Sequence, residues 1–211
     1  MEKSIGQFVT ILSVNKTRES DGRKAPVFCL WARTAPIFFL GRVAMNKKTK
    51  HIVFAALIAA LYVALTYLQN MLLPGSASWA IQFRASEAMC VLAFFTPAAI
   101  PGLTVGCLLF NISNAAALPL DFLVGTAATF LSVGGMYLLR RVTVKGYPLL
   151  GMLLPAVFNA FLVGWELSVY IGGGFWLNAL YVAVGEAAVL LTLGSVLFYA
   201  LKSRGLAQYF K

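Results

Sequence analysis

The chain carries a succession of long apolar segments with short polar stretches between them. These segments lie near 52–73, 80–98, 102–118, 121–139, 148–171 and 175–201. A helix needs about 20 apolar residues to cross a bilayer, so segments of this length predict membrane-spanning helices. Charged residues make up only 11% of the chain, against roughly 25% in soluble domains. The sequence therefore predicts an all-α integral membrane bundle of six transmembrane helices and excludes a soluble enzyme.

The positions of the basic residues predict the orientation of this bundle. Lysine and arginine beside membrane helices favour the cytoplasmic side. With the lysines of 47–50 inside the cell, six spans also place the basic stretches 140–145 and 202–211 inside, whereas five spans place both outside. We therefore expect both termini to be cytoplasmic. The net charge of +10 then reflects topology, and no nucleic-acid partner is expected.

Residues 1–44 differ from the remainder of the chain. They carry seven basic and three acidic residues, and their apolar patches are too short to span. One interpretation is a cytoplasmic tail. The interpretation that we favour is an untranslated leader, because Met45, directly before the lysine-rich stretch, resembles a native start. The predicted organisation is an extension over 1–44 and a membrane domain over 45–211.

Four acidic residues lie within 45–211, namely Glu87, Asp121, Glu166 and Glu186. An ionisable group at membrane depth costs several kcal/mol unless it is paired or hydrated, so each is a functional candidate. The predicted topology places the first three toward the outer side and Glu186 near the middle of the last span. We expect these acids to enclose a ligand that enters from outside.

Other polar and aromatic residues extend this prediction. Asn159, Glu166 and Tyr170 are separated by seven and four residues, so they share one helix face. Arg84 and Glu87 are close enough to pair, either as a structural ion pair or at the ligand. The tryptophans either stack on the ligand or form an interfacial belt. The predicted ligand-binding set is Gln82, Arg84, Glu87, Asn111, Asp121, Asn159, Trp165, Glu166, Tyr170, Trp176 and Glu186.

Small residues recur at helical spacing in two of the segments. Ala56, Ala60 and Ala64 repeat every fourth residue of the first segment, and Gly102 and Gly106 form a second pair. In lipid, small residues at this spacing let helices approach closely. We expect the glycines to pack inside the bundle. The alanines either do the same or face a partner protein.

Motifs for catalysis or nucleotide binding are absent from the sequence. It contains no GxxxxGK[ST] loop, no HExxH and no GxSxG, and His51 is its only histidine. The cysteines form no CxxC pair, and we interpret Cys90 and Cys107 as small core residues. We expect no enzymatic activity, no metal site and no cofactor in this chain.

Several of these features together resemble one family of transport proteins. The six-span pattern, the alanine repeat and the outward-facing polar region resemble the substrate-binding S components of energy-coupling-factor (ECF) transporters. The resemblance is specifically to the QueT family over about 45–211. The segments that carry it are 81–87 (IQFRASE), 102–111, 121–126 (DFLVGT) and 184–186. Residues 1–44 have no counterpart in the family pattern.

The resemblance implies a function in the bacterial cell membrane. It implies uptake of a queuosine precursor, a 7-deazaguanine base such as prequeuosine or queuine. The implied partners are a transmembrane T component, which Ala56, Ala60 and Ala64 would contact, and two ATPase subunits, which would bind ATP and Mg²⁺. The alternatives are an S component for another vitamin-like compound and an ion-coupled carrier acting alone, although no inverted repeat supports the latter.

Overall fold

The computed structural model describes residues 46–74, 83–114 and 117–203. The α-helices are α1 (Lys47–Leu72), α2 (Ala99–Ser113), α3 (Asp121–Leu138), α4 (Leu149–Met152), α5 (Leu154–Tyr170), α6 (Phe175–Val189) and α7 (Ser195–Ser203). A 3₁₀ helix, Ala85–Phe94, precedes α2, and a 3₁₀ turn, Leu139–Arg141, follows α3. A π-helical segment, Leu190–Gly194, joins α6 to α7. The described residues form no β-strand, so the predicted all-α class is confirmed for them.

Four helices are long and apolar enough to cross a membrane. They are Lys47–Leu72, Asp121–Arg141, Leu149–Tyr170 and Phe175–Ser203, and they correspond to the first, fourth, fifth and sixth predicted spans. The predicted second and third spans are also helical, but they are shorter than expected, with ten residues in the 3₁₀ helix and 15 in α2. The chain is thus a multi-pass membrane protein. Its orientation, with both termini cytoplasmic, stays a prediction.

The break between the two shorter helices has a local cause. Proline lacks the N–H that a helix interior needs, and Pro97 lies within the break, between Phe94 and Ala99. Pro101 lies in the first turn of α2, where a helix tolerates proline because the N–H has no partner within the helix. Within the break the Thr96 hydroxyl accepts a hydrogen bond from the Ala98 N–H at 3.3 Å, which supports the turn into α2.

The 3₁₀ helix lies at the centre of the described part of the chain. It contacts α1, α2, α3, α6 and α7, and residues 86–93 are all buried. A 3₁₀ helix seldom runs longer than three or four residues because its hydrogen-bond geometry is poor. Packing against these five helices therefore holds this one in place, and it brings Glu87 into the interior.

Small residues on α1 and α2 let these two helices approach closely. A Cβ atom added at Gly102 would lie 2.7 Å from the Ala55 carbonyl oxygen, and one added at Gly106 would lie 3.0 Å from the Tyr62 Cβ. The prediction that these glycines pack inside the bundle is confirmed. The repeat Ala56, Ala60 and Ala64 is different, since all three residues are exposed on another face of α1.

Candidate functional site

Five charged residues are buried together in the described part of the chain. They are Arg84, Glu87, Asp121, Glu166 and Glu186, all at most 7% exposed, and we call them the buried charge cluster. They come from different elements. Arg84 directly precedes the 3₁₀ helix, Glu87 lies in its first turn, and the other three lie on α3, α5 and α6. The Arg84 guanidinium interacts electrostatically with all four carboxyl groups. The structure thus places all four predicted acids in one buried group around Arg84, and their role in enclosing a ligand stays a prediction.

Glu87 is held by protein on both of its carboxylate oxygens. The hydroxyl of Tyr62, on α1, donates to Oε1 at 2.7 Å. The thiol of Cys90 donates to Oε2 at 3.1 Å. Hydrogen bonds to a charged acceptor contribute about 1.5–3 kcal/mol each. This arrangement favours a structural role for Glu87.

Gln69 of α1 holds the backbone on both sides of Arg84. Its side-chain Nε2 donates to the Phe83 carbonyl, and its Oε1 accepts from the Ala85 N–H at 2.6 Å. This contact fixes the start of the 3₁₀ helix against α1, and it orients the residue that interacts with every acid of the cluster.

We did not predict from the sequence that polar residues of α1 contact the buried charge cluster, although the sequence contains a signal for it. Tyr62, Thr66 and Gln69 are all buried, and they are spaced by four and three residues. This spacing places polar groups on one helix face. A polar face within an apolar span predicts contact with other polar groups.

Asn111 and Asp121 secure the connection between α2 and α3. The Asn111 Nδ2 donates to the Asp121 carbonyl at 2.9 Å, and the Asp121 Oδ2 accepts from the Leu118 N–H at 3.0 Å. Gly125 provides the room, since a Cβ there would lie 2.8 Å from the Asn111 Nδ2. The Asn111 Oδ1 is buried and has no hydrogen-bond partner in the described part of the chain.

Glu166 and Glu186 differ from the other two acids. The Asp121 carboxyl is near enough to interact with Glu166, yet neither Glu166 oxygen has a partner in hydrogen-bond geometry among the described residues. Glu186 interacts with the Asn159 side chain, but its Oε2 also lacks a hydrogen bond to these residues. Buried polar atoms are nearly always hydrogen-bonded, so such exceptions need an explanation.

The predicted aromatic residues lie apart from this buried group. Trp165, Tyr170 and Trp176 are 49%, 42% and 76% exposed. The face predicted for Asn159, Glu166 and Tyr170 is correct for the first two, but Tyr170, the last residue of α5, extends beyond the buried part of that face. Trp165 directly follows the close-packed Gly164 and points about 100° away from Glu166 around the helix. These exposures favour the interfacial belt over ligand stacking.

The remaining residues named from the sequence are the cysteines and Gln82. Cys90 and Cys107 are buried core residues, as predicted, and Cys90 has the additional bond to Glu87. Gln82, residues 1–44 and the third cysteine, Cys29, lie outside the described residues. Within 46–74, 83–114 and 117–203, no group of three His, Cys, Asp or Glu residues has the arrangement needed to hold a metal ion.

Comparison with known proteins gives one family. A family model described as QueT transporter matches residues 52–203, well over half of the chain. The Queuosine precursor transporter QueT of Lactococcus lactis subsp. cremoris (strain MG1363) is 38% identical over 94 residues, which cover 42% of this chain and 52% of that protein. The chain thus matches about half the length of this curated relative. No solved structure matches at a significant level.

Proposed function

This chain belongs to the QueT transporter family, and from that membership we propose that it is the substrate-binding S subunit of an ATP-driven ECF importer. Its substrate is a queuosine precursor, a 7-deazaguanine base of the prequeuosine or queuine type. Support for the substrate comes from the Lactococcus lactis relative, which is a queuosine precursor transporter by name, and from the chemistry of the site. The observation that carries the proposal is Glu166, which is fully buried and has two carboxylate oxygens without a hydrogen-bond partner among the described residues.

A deazaguanine suits a carboxylate of this kind. Its ring N–H and exocyclic amine present parallel donors, and a carboxylate accepts such a pair with both oxygens. The carbonyl beside them needs a donor, and the Arg84 guanidinium interacts with the same carboxyl group. The Asn111 Oδ1 offers a further acceptor. We assign Glu166 as the main contact to this edge of the base.

The partner proteins are proposed from the surface of α1. Ala56, Ala60 and Ala64 are exposed, so this repeat is available for close packing against another helix. We assign it to the T component, and ATP and Mg²⁺ to two ATPase subunits. The chain itself acts as a transporter subunit in the bacterial cell membrane.

Ligand binding by purified protein tests this function. Isothermal calorimetry in detergent should detect binding of prequeuosine or queuine, but not of riboflavin, thiamine or biotin. The Glu166→Gln variant should bind about 5- to 150-fold more weakly, because it loses about 1–3 kcal/mol of charged hydrogen bonding. Ser168→Ala on the same helix is the matched control, since the Ser168 hydroxyl donates to its own helix at Trp165. Unchanged affinity of Glu166→Gln would remove Glu166 from the site.

An ion-coupled carrier acting alone is the second candidate. Buried acids such as Glu166 and Glu186 are also the groups that proton-coupled carriers use. Uptake by cells lacking the ATPase subunits separates the two mechanisms. The ECF proposal requires uptake to stop in such cells, whereas a secondary carrier would continue until an ionophore dissipates the ion gradient.

A further inference from the structure

The buried charge cluster contains more acid than base. Four carboxyl groups share the interior with one guanidinium, and the described part of the chain buries no further Lys, Arg or His. The excess is therefore three acids, four minus one. Ionising a buried acid that has no basic partner is costly. A cationic guest would reduce this cost, whereas a neutral guest would leave it unchanged.

The hydrogen bonds identify the acids that are free to bind a guest. Glu87 has a protein donor on each oxygen. Asp121 accepts from the Leu118 N–H and is the first residue of α3, where the helix dipole stabilises a negative charge. Glu166 and Glu186 are therefore the two acids whose oxygens can accept a hydrogen bond from a guest.

These two acids differ in the number of carboxylate oxygens that are available to accept a hydrogen bond from a ligand. Both oxygens of Glu166 lack hydrogen-bond partners among the described residues, whereas only Oε2 of Glu186 does. A pair of parallel N–H donors needs two oxygens on one carboxyl group, and a single ammonium N–H needs one. Glu166 therefore suits the edge of the base, and Glu186 suits a separate cation.

The helix spacing separates these two positions. Asn159, which interacts with Glu186, lies seven residues before Glu166 on α5, or about 10 Å along the helix axis. Both residues are buried on one face of that helix. A separation of this order suits a bicyclic base with one substituent and a hydrogen bond at each end.

We propose that Glu186 and Asn159 form a second subsite that holds a cationic substituent, so that the protein selects ammonium-bearing 7-deazaguanines over uncharged ones. The Glu186 Oε2 accepts an N–H of the ammonium group, and the Asn159 amide oxygen provides a further acceptor beside it. This inference rests on the proposed function and specifies the substrate class of the same site.

Two probe compounds and two variants test the proposal. The probes are 7-aminomethyl-7-deazaguanine, which is a cation at neutral pH, and its uncharged 7-cyano analogue. Calorimetry on the purified full chain should show that the wild type binds the amine at least tenfold more tightly. Glu186→Gln should reduce this preference to about threefold or less and leave the affinity for the nitrile nearly unchanged. Glu166→Gln, the matched control, should weaken both compounds alike and keep their ratio.

The outcomes distinguish this inference from the proposed function. Equal wild-type affinities for the two compounds, or a preference for the nitrile, would overturn the inference but not the proposed function. Because this comparison uses only the wild type, it tests the inference even if a variant fails to fold. Glu186→Gln weakening both compounds equally would also overturn it, as would loss of the preference in Glu166→Gln. If correctly folded wild-type protein binds neither compound, the proposed function fails and the inference with it.

Discussion

Replacing Tyr62 by phenylalanine tests how the site is supported. The substitution removes one hydroxyl group and keeps the ring, so it creates almost no cavity in a position that is 0% exposed. It deletes the 2.7 Å hydrogen bond to the Glu87 Oε1. The Cys90 thiol still donates to Oε2 of Glu87, but the buried Oε1 loses its donor.

The expected loss follows from the charge and burial of the acceptor. A hydrogen bond to a charged group contributes about 1.5–3 kcal/mol, and leaving a buried acceptor unsatisfied costs its full desolvation penalty. We expect Tyr62→Phe to lower the free energy of unfolding by about 1.5–3 kcal/mol, which is roughly 10- to 150-fold in the unfolding equilibrium.

Tyr67→Phe is a matched control on the same helix. The Tyr67 hydroxyl donates to the Ser113 Oγ at 2.7 Å, so the chemical change is identical. The Ser113 hydroxyl keeps its own bond to the Leu109 carbonyl at 2.6 Å, and no buried charge loses a donor. We expect this variant to lose less than about 1 kcal/mol, as for a neutral hydrogen bond.

Equilibrium unfolding in mixed detergent micelles, followed by circular dichroism, measures both variants. Retained ligand binding before unfolding checks that each variant starts from the native fold. Equal losses in the two variants, or a loss below about 0.5 kcal/mol for Tyr62→Phe, would refute the assignment of Tyr62 as the support of a buried carboxylate.

Two further substitutions test the faces of α1 and α2. Ala60→Leu enlarges an exposed position, so ligand affinity should be unchanged while co-purification with the T component is lost; retained co-purification would refute the proposed contact. Gly102→Ala should destabilise the protein by about 1–3 kcal/mol, since its Cβ would lie 2.7 Å from the Ala55 carbonyl. Gly134→Ala, where a Cβ meets nothing within 4 Å, should stabilise by about 0.5–1 kcal/mol. The same change in stability for both variants would contradict the close α1–α2 packing.

The long helices were predictable because the lipid bilayer places strict requirements on any segment that crosses it. A spanning helix must be long and continuously apolar, and the bounds predicted for 121–139 and 175–201 lie within two residues of the observed Asp121–Arg141 and Phe175–Ser203. The central 3₁₀ helix was not predictable in the same way. Hydropathy reports that 80–98 is apolar, but the contacts that hold Ala85–Phe94 come from helices elsewhere in the chain.

The acids of the candidate site were predictable from their energetic cost, but their hydrogen-bond partners were not. Hydropathy identifies Glu87 and Glu166 equally as polar residues in apolar surroundings. What distinguishes them is the donor on α1, and Tyr62 lies 25 residues before Glu87. The sequence alone does not show which acid accepts a hydrogen bond from Tyr62, because that depends on how the helices pack. It does contain the polar spacing of α1, which would have directed attention to this helix.

The distribution of hydrogen bonds bears on why these acids are present. If the cluster served stability alone, every carboxyl oxygen would gain by having a donor, as both oxygens of Glu87 have. Glu166 and Glu186 instead keep buried oxygens that no described residue satisfies, which costs stability. Binding sites commonly carry such costs because the groups that bind a guest must not be satisfied by the protein itself. For this reason we assign the ligand contacts to the acids whose oxygens lack hydrogen bonds among the described residues, and structural support to Glu87.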